Sequence, residues 1–393
     1  MAQIQLIRSP FIPSNNQFPE DQLIGIATNF YHSVPFYHPT PLVKLPNFAH
    51  ENKLGTVYIK DEAHRFDSRL KAFKATGGLF AMACCIAKQA GLPLAGLTYD
   101  QLQTHAVKAV ANKLTFYTAT DGNHGRGVAW AAAKLGTHAV IKMPVGSTRL
   151  RAEHIAQFNN AQVEITDKNY DDTVQFVYEL SQKDPNGILI QDMAWSGYTK
   201  IPQEISAGYS IIVNEILDQL AKDDYPTHLF LQAGVGQLSS GIINALFSQL
   251  PTNYYPIVTI VEPANVACYF LSAQEADGLA HTVPGSPQTI MAGLNCQTPS
   301  AISFPLIKKT ASFYGTLTDE VAANGMRILA HPRGNDPVIV SGESGVAAFA
   351  FLNAVVQNSQ YRQLLKLDST SRVLVINTEG DTDEHDYQTI INK

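Results

Sequence analysis

Between Leu114 and Val261, short apolar runs alternate with longer amphipathic ones, and this alternation constrains the fold more than any other feature of the chain. The short runs read as strands over Leu114–Thr118, Ala139–Met143, Gln162–Thr166, Gly187–Gln191, His228–Gln232 and Ile257–Val261. Between them lie helical patterns over Arg149–Phe158, Asp171–Lys183 and Ser239–Leu250, and an alanine-rich helix that ends at Gly136. Strands separated by helices of ~10–15 residues build βαβ units, so the expected class is α/β with mainly parallel sheets flanked by helices. Upstream, a strand over Val57–Lys60 leads to a helix expected to begin near Asp67, and Thr98 with Gln101 forms a capping-box pattern. A last strand covers Arg372–Ile376.

The chain has 393 residues, enough for about two domains at ~100–200 residues each. The turns near 84–98 and the helix from Gln203 place the boundaries, with a small α/β domain at 89–205 and a large one built from 1–88 and 206–393. A net charge of −6 and the lack of any Lys/Arg cluster argue against a nucleic-acid partner. No stretch approaches the ~20 consecutive apolar residues of a membrane helix, and the first residues lack the pattern of a signal peptide. Four scattered cysteines, Cys84, Cys85, Cys268 and Cys296, form no C-x-x-C pair. A disulfide framework and a zinc site are therefore not expected, and a cytoplasmic location is.

Chemistry concentrates in a few places. The stretch Asp67–Gly78, reading DSRLKAFKATGG, sets Lys71 and Lys74 before a glycine pair and an apolar helical run. A lysine held dry there loses its proton more easily and attacks carbonyls, which makes a Schiff-base lysine the functional reading; a solvated surface lysine is the structural one. After the strand HLFLQ, the loop Ala233–Gly241 opens a helix, and glycine-rich backbone at a helix N-terminus cradles phosphate, unless the glycines serve packing alone. Its spacing matches neither a P-loop nor a dinucleotide fingerprint. Asp121, in the turn TDGNHG, and Asp192, after ILIQ, both stand at strand ends, where α/β folds bind ligands. Each could equally be a helix cap, and His124 reads as a packed histidine.

Taken in order, AFKATGG, ATDGNHGRGVAW, QDMAWSGYTKIP, QAGVGQLSSG, VEP, TIMAGLNC, SGESG and NTEGDTD resemble the diaminopropionate ammonia-lyases, from about residue 30 to the C-terminus. That family belongs to the pyridoxal-phosphate enzymes of the tryptophan synthase β type, fold type II. The resemblance implies pyridoxal 5'-phosphate as cofactor, bound through the large domain, and α,β-elimination of D- and L-2,3-diaminopropionate to pyruvate and ammonia. It assigns Lys74 to the Schiff base and leaves Lys71 a bystander. It assigns Asn123 to the cofactor's 3-hydroxyl, and Gly234, Val235, Gly236, Gln237 and Leu238 to its phosphate. Asn377 or Thr378 would meet the pyridine nitrogen. Asp121 would be the base for the D isomer and Asp192 for the L isomer, because the two isomers present their α-protons to opposite faces.

The chain departs from the commoner loop by carrying Gln237 and Ser239-Ser240 where small residues are frequent, which affects the shape around the phosphate. A serine or threonine dehydratase of the same fold is the alternative; the second aspartate motif and the NTEGDTD ending argue against it. A cofactor-binding protein without turnover would lack a lysine or aspartate, and a dinucleotide oxidoreductase fails on loop spacing. The expected partners are a small amino-acid substrate and a second copy of the chain, a homodimer, with no nucleic acid, membrane or metal. Cys268 and Cys296 fall near the substrate side, either as an oxidisable pair or as two reduced thiols.

Overall fold

The computed structural model describes residues 3–13, 16–18 and 21–393. Its strands are β1 (Ile4–Arg8), β2 (Leu42–Lys44), β3 (Thr56–Asp61), β4 (Thr115–Ala119), β5 (His138–Met143), β6 (Ala161–Ile165), β7 (Gly187–Leu189), β8 (His228–Gln232), β9 (Ile257–Pro263), β10 (Phe313–Leu317) and β11 (Arg372–Asn377). They form a seven-stranded sheet, ordered β1-β10-β9-β8-β11-β3-β2, and a four-stranded one, ordered β6-β5-β4-β7. All four-stranded pairings are parallel; in the larger sheet only the edge pairs β1/β10 and β2/β3 are antiparallel. Among the described residues, no helix is long and apolar enough to cross a membrane.

The alternating pattern locates the interior strands within a residue or two, because strands buried on both faces are apolar throughout. It passes over β1, β2 and β10. The first two are edge strands, and β1 pairs with residues some 300 positions away, Ile4 with Leu317. In β10, Gly315 looks like a breaker. Its missing side chain instead admits the Phe351 ring, whose Cζ would lie 2.3 Å from a Cβ at that position.

Compactness divides the chain into two units. One comprises Met1–Glu20, Pro39–His64 and Ile212–Lys393 and contains the seven-stranded sheet. Its core packs Phe230, Val261, Val373 and Val375 with Phe349 and Phe351 of the helix Ala347–Val356. The other comprises Asp21–His38 and Arg65–Ile211 and contains the four-stranded sheet. These limits differ from the expected 1–88, 206–393 and 89–205, chiefly in placing the lysine segment with the smaller sheet.

Close helix packing explains that placement. In the helix Lys74–Gln89, a Cβ on Gly77 would come within 2.6 Å of the Tyr209 ring and 2.7 Å of Ile205. A Cβ on Gly127, in the helix Asn123–Leu135, would stand 2.9 Å from the Ala75 nitrogen. Gly77→Ala is accordingly expected to overpack this junction and lower unfolding free energy by ~1–3 kcal/mol, measurable by urea denaturation. An unchanged midpoint would show that the junction yields freely.

The helix also starts later than the spacing suggests, at Lys74 and not near Asp67. Asp67 accepts the Leu70 N–H at 2.8 Å in a turn, and Lys71 has φ of 49°. That left-handed residue interrupts the helical path. The bystander lysine thus has a backbone role, and Lys74 becomes the first helical residue.

Candidate active site

The smaller-sheet unit brings together four of the nominated residues and His124. The Lys74 ammonium is ion-paired with the Asp192 carboxylate, and its side chain is 19% exposed. It also lies 5.3 Å from the centre of the Phe73 ring. The lysine is therefore positioned by a carboxylate partner more than by the dryness its sequence context suggested.

Asp192 follows β7 and is buried. Burial pushes its pKa up, but the Lys74 ammonium, and then His124 while its imidazole is protonated, outweigh that and hold it at about 2. Asp121, two residues beyond β4 and partly buried, goes the other way. Burial lifts it to about 6, with Arg151 opposing and the negative charge of Asp192 adding. Two carboxylates whose environments separate their proton affinities are suited to different acid–base tasks.

Asn123 opens the helix Asn123–Leu135. Next to it, the buried His124 ring donates from Nε2 to the Ile190 carbonyl at 2.7 Å, while its Nδ1 stands 3.8 Å from Asp192 Oδ2. Burial pushes the histidine pKa down, against the pull of Asp192.

The glycine loop lies in the larger-sheet unit, between β8 and the helix Gln237–Gln249, whose N-terminus has no side-chain cap. Gly236 has φ of 86°, and a Cβ there would sit 2.1 Å from the Tyr269 hydroxyl. That hydroxyl donates to the Val235 carbonyl at 2.9 Å, and the Ser300 N–H donates to the same oxygen at 2.9 Å. The loop's carbonyl is thus held from behind. The N–H groups of Val235 and Gly236 have no acceptor among the described residues, and with the uncapped helix end they form an anion cradle.

Gln237 does not crowd this cradle. Its side-chain oxygen accepts from Ser303 Oγ at 3.0 Å and Ser300 Oγ at 3.3 Å, and Ser240 Oγ reaches Ser303 Oγ at 2.9 Å. Gln237 and Ser240 thus meet through Ser303, and Ser239 Oγ donates to the Gln232 carbonyl at 2.7 Å. Tyr269, Ser300 and Ser303 were not legible as site residues, since nothing in their own segments signals a bond to a loop 30–70 positions earlier.

Asn377 and Thr378 separate by what their side chains already do. The Asn377 amide donates to Asp61 at 2.8 Å and to the Val340 carbonyl at 3.0 Å, and its oxygen accepts from Ser341 Oγ at 2.7 Å. Those bonds commit it to bracing β11. The buried Thr378 hydroxyl accepts from Gln232 Nε2 at 3.1 Å, leaving its own proton to donate elsewhere. None of the four cysteines is joined in a disulfide. Cys268 is buried with its sulfur 3.8 Å from the Gly234 carbonyl, and Cys296 is partly buried.

Comparison with known proteins agrees with this geometry. Residues 34–379 match the family model described as pyridoxal-phosphate dependent enzyme. Diaminopropionate ammonia-lyase from Salmonella typhimurium is 41% identical over 368 residues, covering 92% of this chain and 90% of that one. The crystal structure of diaminopropionate ammonia-lyase from Escherichia coli in complex with D-serine superposes with a TM-score of 0.89 at 36% identity, covering 99% of this chain and 96% of that one. The same Escherichia coli enzyme in complex with an aminoacrylate–PLP azomethine reaction intermediate gives a TM-score of 0.87 at 36% identity, with the same coverage. The chain belongs to the pyridoxal-phosphate dependent enzymes, within the diaminopropionate ammonia-lyase family.

Proposed function

We propose that this chain is a carbon–nitrogen lyase that uses pyridoxal 5'-phosphate to eliminate ammonia from D- and L-2,3-diaminopropionate, giving pyruvate and ammonia. The observation that carries the reading is the Lys74–Asp192–His124 cluster beside a second carboxylate, Asp121, of contrasting proton affinity. The residues suit the cofactor. Lys74 offers a primary amine for its aldehyde carbon, and the N–H groups of Val235 and Gly236 offer donors for its phosphate alongside Gly234, Gln237 and Leu238. Asn123 is assigned to the 3-hydroxyl, and Thr378, with its uncommitted proton, to the pyridine nitrogen in preference to Asn377.

When bound, pyridoxal phosphate supplies a conjugated sink for the electron pair left at the substrate's Cα. The protein supplies the rest. Asp192 removes the α-proton of the L isomer and Asp121 that of the D isomer, one from each face. The Lys74 ammonium holds Asp192 as a weak base. With its nitrogen engaged by the cofactor, Lys74 would no longer lower the Asp192 pKa, and burial, already the largest single influence, would strengthen it as a base. Lys74, whose nitrogen reaches the Asp192 carboxylate, would carry protons on that same side.

A cytoplasmic homodimer is part of this proposal, testable by sedimentation of the purified protein. The dehydratase alternative differs in its leaving group, hydroxide in place of ammonia. The two are separated by following pyruvate from diaminopropionate and from serine, each as both isomers. We expect kcat/KM to favour diaminopropionate by at least ~10-fold, about 1.4 kcal/mol of transition-state preference. Equal or better turnover of serine would assign the chain to the dehydratases.

A further inference from the structure

We propose that His124 is a positioning residue for the L-specific base: its Nδ1 accepts a hydrogen bond from Asp192 once that carboxylate has taken the substrate's α-proton. The inference rests on the reading of Asp192 given above and adds a residue that the sequence alone presents as packing.

Three observations support it. The ring is buried, and its Nε2 lies 2.7 Å from the Ile190 carbonyl, which can only accept. Nε2 therefore carries the proton, and Nδ1 of the neutral ring carries a lone pair. Nδ1 is itself a buried atom with no hydrogen-bond partner among the described residues. A buried polar atom without a partner is costly and calls for a reason. The carboxylate oxygen nearest in this arrangement, Asp192 Oδ2, stands at 3.8 Å, beyond hydrogen-bond range.

The charge states explain the spacing. An ionised Asp192 has no proton to give, so lone pair faces lone pair and the groups stand apart. Lys74, the other charged group facing the histidine, also disfavours a positive imidazole. When Asp192 receives a proton it becomes a donor, and a small rotation of its carboxyl brings the O–H to Nδ1. In that step the Cα–H bond breaks, an O–H bond forms on Asp192, and the electron pair remains with the substrate. His124 neither gains nor loses a covalent bond. It favours only the protonated form of the base, the state reached after proton removal, and so strengthens the base where strength is needed.

Two substitutions separate the ring's two nitrogens. His124→Gln keeps a donor near the position of Nε2 and removes the acceptor at Nδ1. His124→Asn places an amide oxygen near the position of Nδ1 and gives up the bond to Ile190. We expect His124→Gln to lower kcat for the L isomer by ~10–100-fold, within the span of acid–base effects, and to lower D turnover by less than ~3-fold. His124→Asn should restore at least ~3-fold of the lost L turnover relative to the glutamine variant. A purely packed histidine would move both isomers together, and that result overturns the proposal.

Nitrogen-15 NMR of histidine-labelled holoenzyme gives a readout independent of turnover and of whether the asparagine variant folds. Between about pH 6 and 8 it should show His124 with a protonated Nε2 and a bare Nδ1. A protonated Nδ1 in that range overturns the proposal. Asp192→Asn tells the two levels apart. If it spares L turnover, the assignment of Asp192 has failed. If it abolishes L turnover while His124→Gln affects D and L alike, only the role of His124 has failed.

Discussion

Replacing Lys74 by alanine is expected to abolish covalent attachment of pyridoxal phosphate and to cut pyruvate formation by more than the ~10²–10⁴-fold range typical of a single positioned acid–base group. On the proposed assignment two roles are lost at once: the amine that holds the cofactor's aldehyde carbon, and the group that returns protons on the Asp192 side. The fold should persist. The Lys74 side chain is partly exposed, and the junction beneath it is made by Gly77, Tyr209, Gly127 and Ala75. Without the ammonium, the buried Asp192 loses the strongest influence that offsets its burial, so it should take up a proton at a higher pH than in the parent. The visible absorption of the purified protein and mass spectrometry after borohydride reduction report the attachment directly. Lys71→Ala is the control and should retain both signals. Retention of a reducible cofactor adduct in Lys74→Ala would move the assignment to another lysine.

The second large effect is a split between enantiomers. Asp192→Asn should suppress turnover of L-diaminopropionate by ~10²–10⁴-fold and spare the D isomer, and Asp121→Asn should do the reverse. The two carboxylates predict different acid limbs as well. A base must be unprotonated to act, and Asp121 is held at about 6, so D turnover should decline as pH falls through about 6. In Asp192→Asn the negative charge that adds to this shift is gone, so the limb should move toward lower pH. Steady-state kcat/KM from about pH 5 to 8 on each isomer tests both points. Equal losses on both isomers in both variants would contradict separate bases.

Much of this arrangement is legible in the amino-acid sequence, for identifiable reasons. Strands β4, β5, β8 and β9 are buried in parallel sheets and announce themselves as apolar runs, and the loop after β8 announces itself through its glycines. Lys74, Asp121 and Asp192 stand at element ends, where a charged residue next to an apolar run is conspicuous. What escapes is whatever depends on distant partners. The start of the lysine helix turns on a left-handed Lys71, and the membership of that helix turns on Gly77 meeting Tyr209, which no local pattern encodes. Asn377 and Thr378 are adjacent and both polar, and only their bonds to Asp61, Ser341 and Gln232 tell a brace from an available donor. His124 was visible in GNHG, but its orphaned Nδ1 was not.

The central claim is that the leaving group is ammonia and the substrate carries two amines. The most direct test is to incubate purified holoenzyme with D- and with L-2,3-diaminopropionate and to measure ammonia and pyruvate in the same samples. Elimination at Cβ followed by hydrolysis of the three-carbon product releases two ammonia molecules for each pyruvate from either isomer. A ratio of two with both isomers is the predicted result; no pyruvate from either isomer, alongside one ammonia per pyruvate from serine, would contradict it.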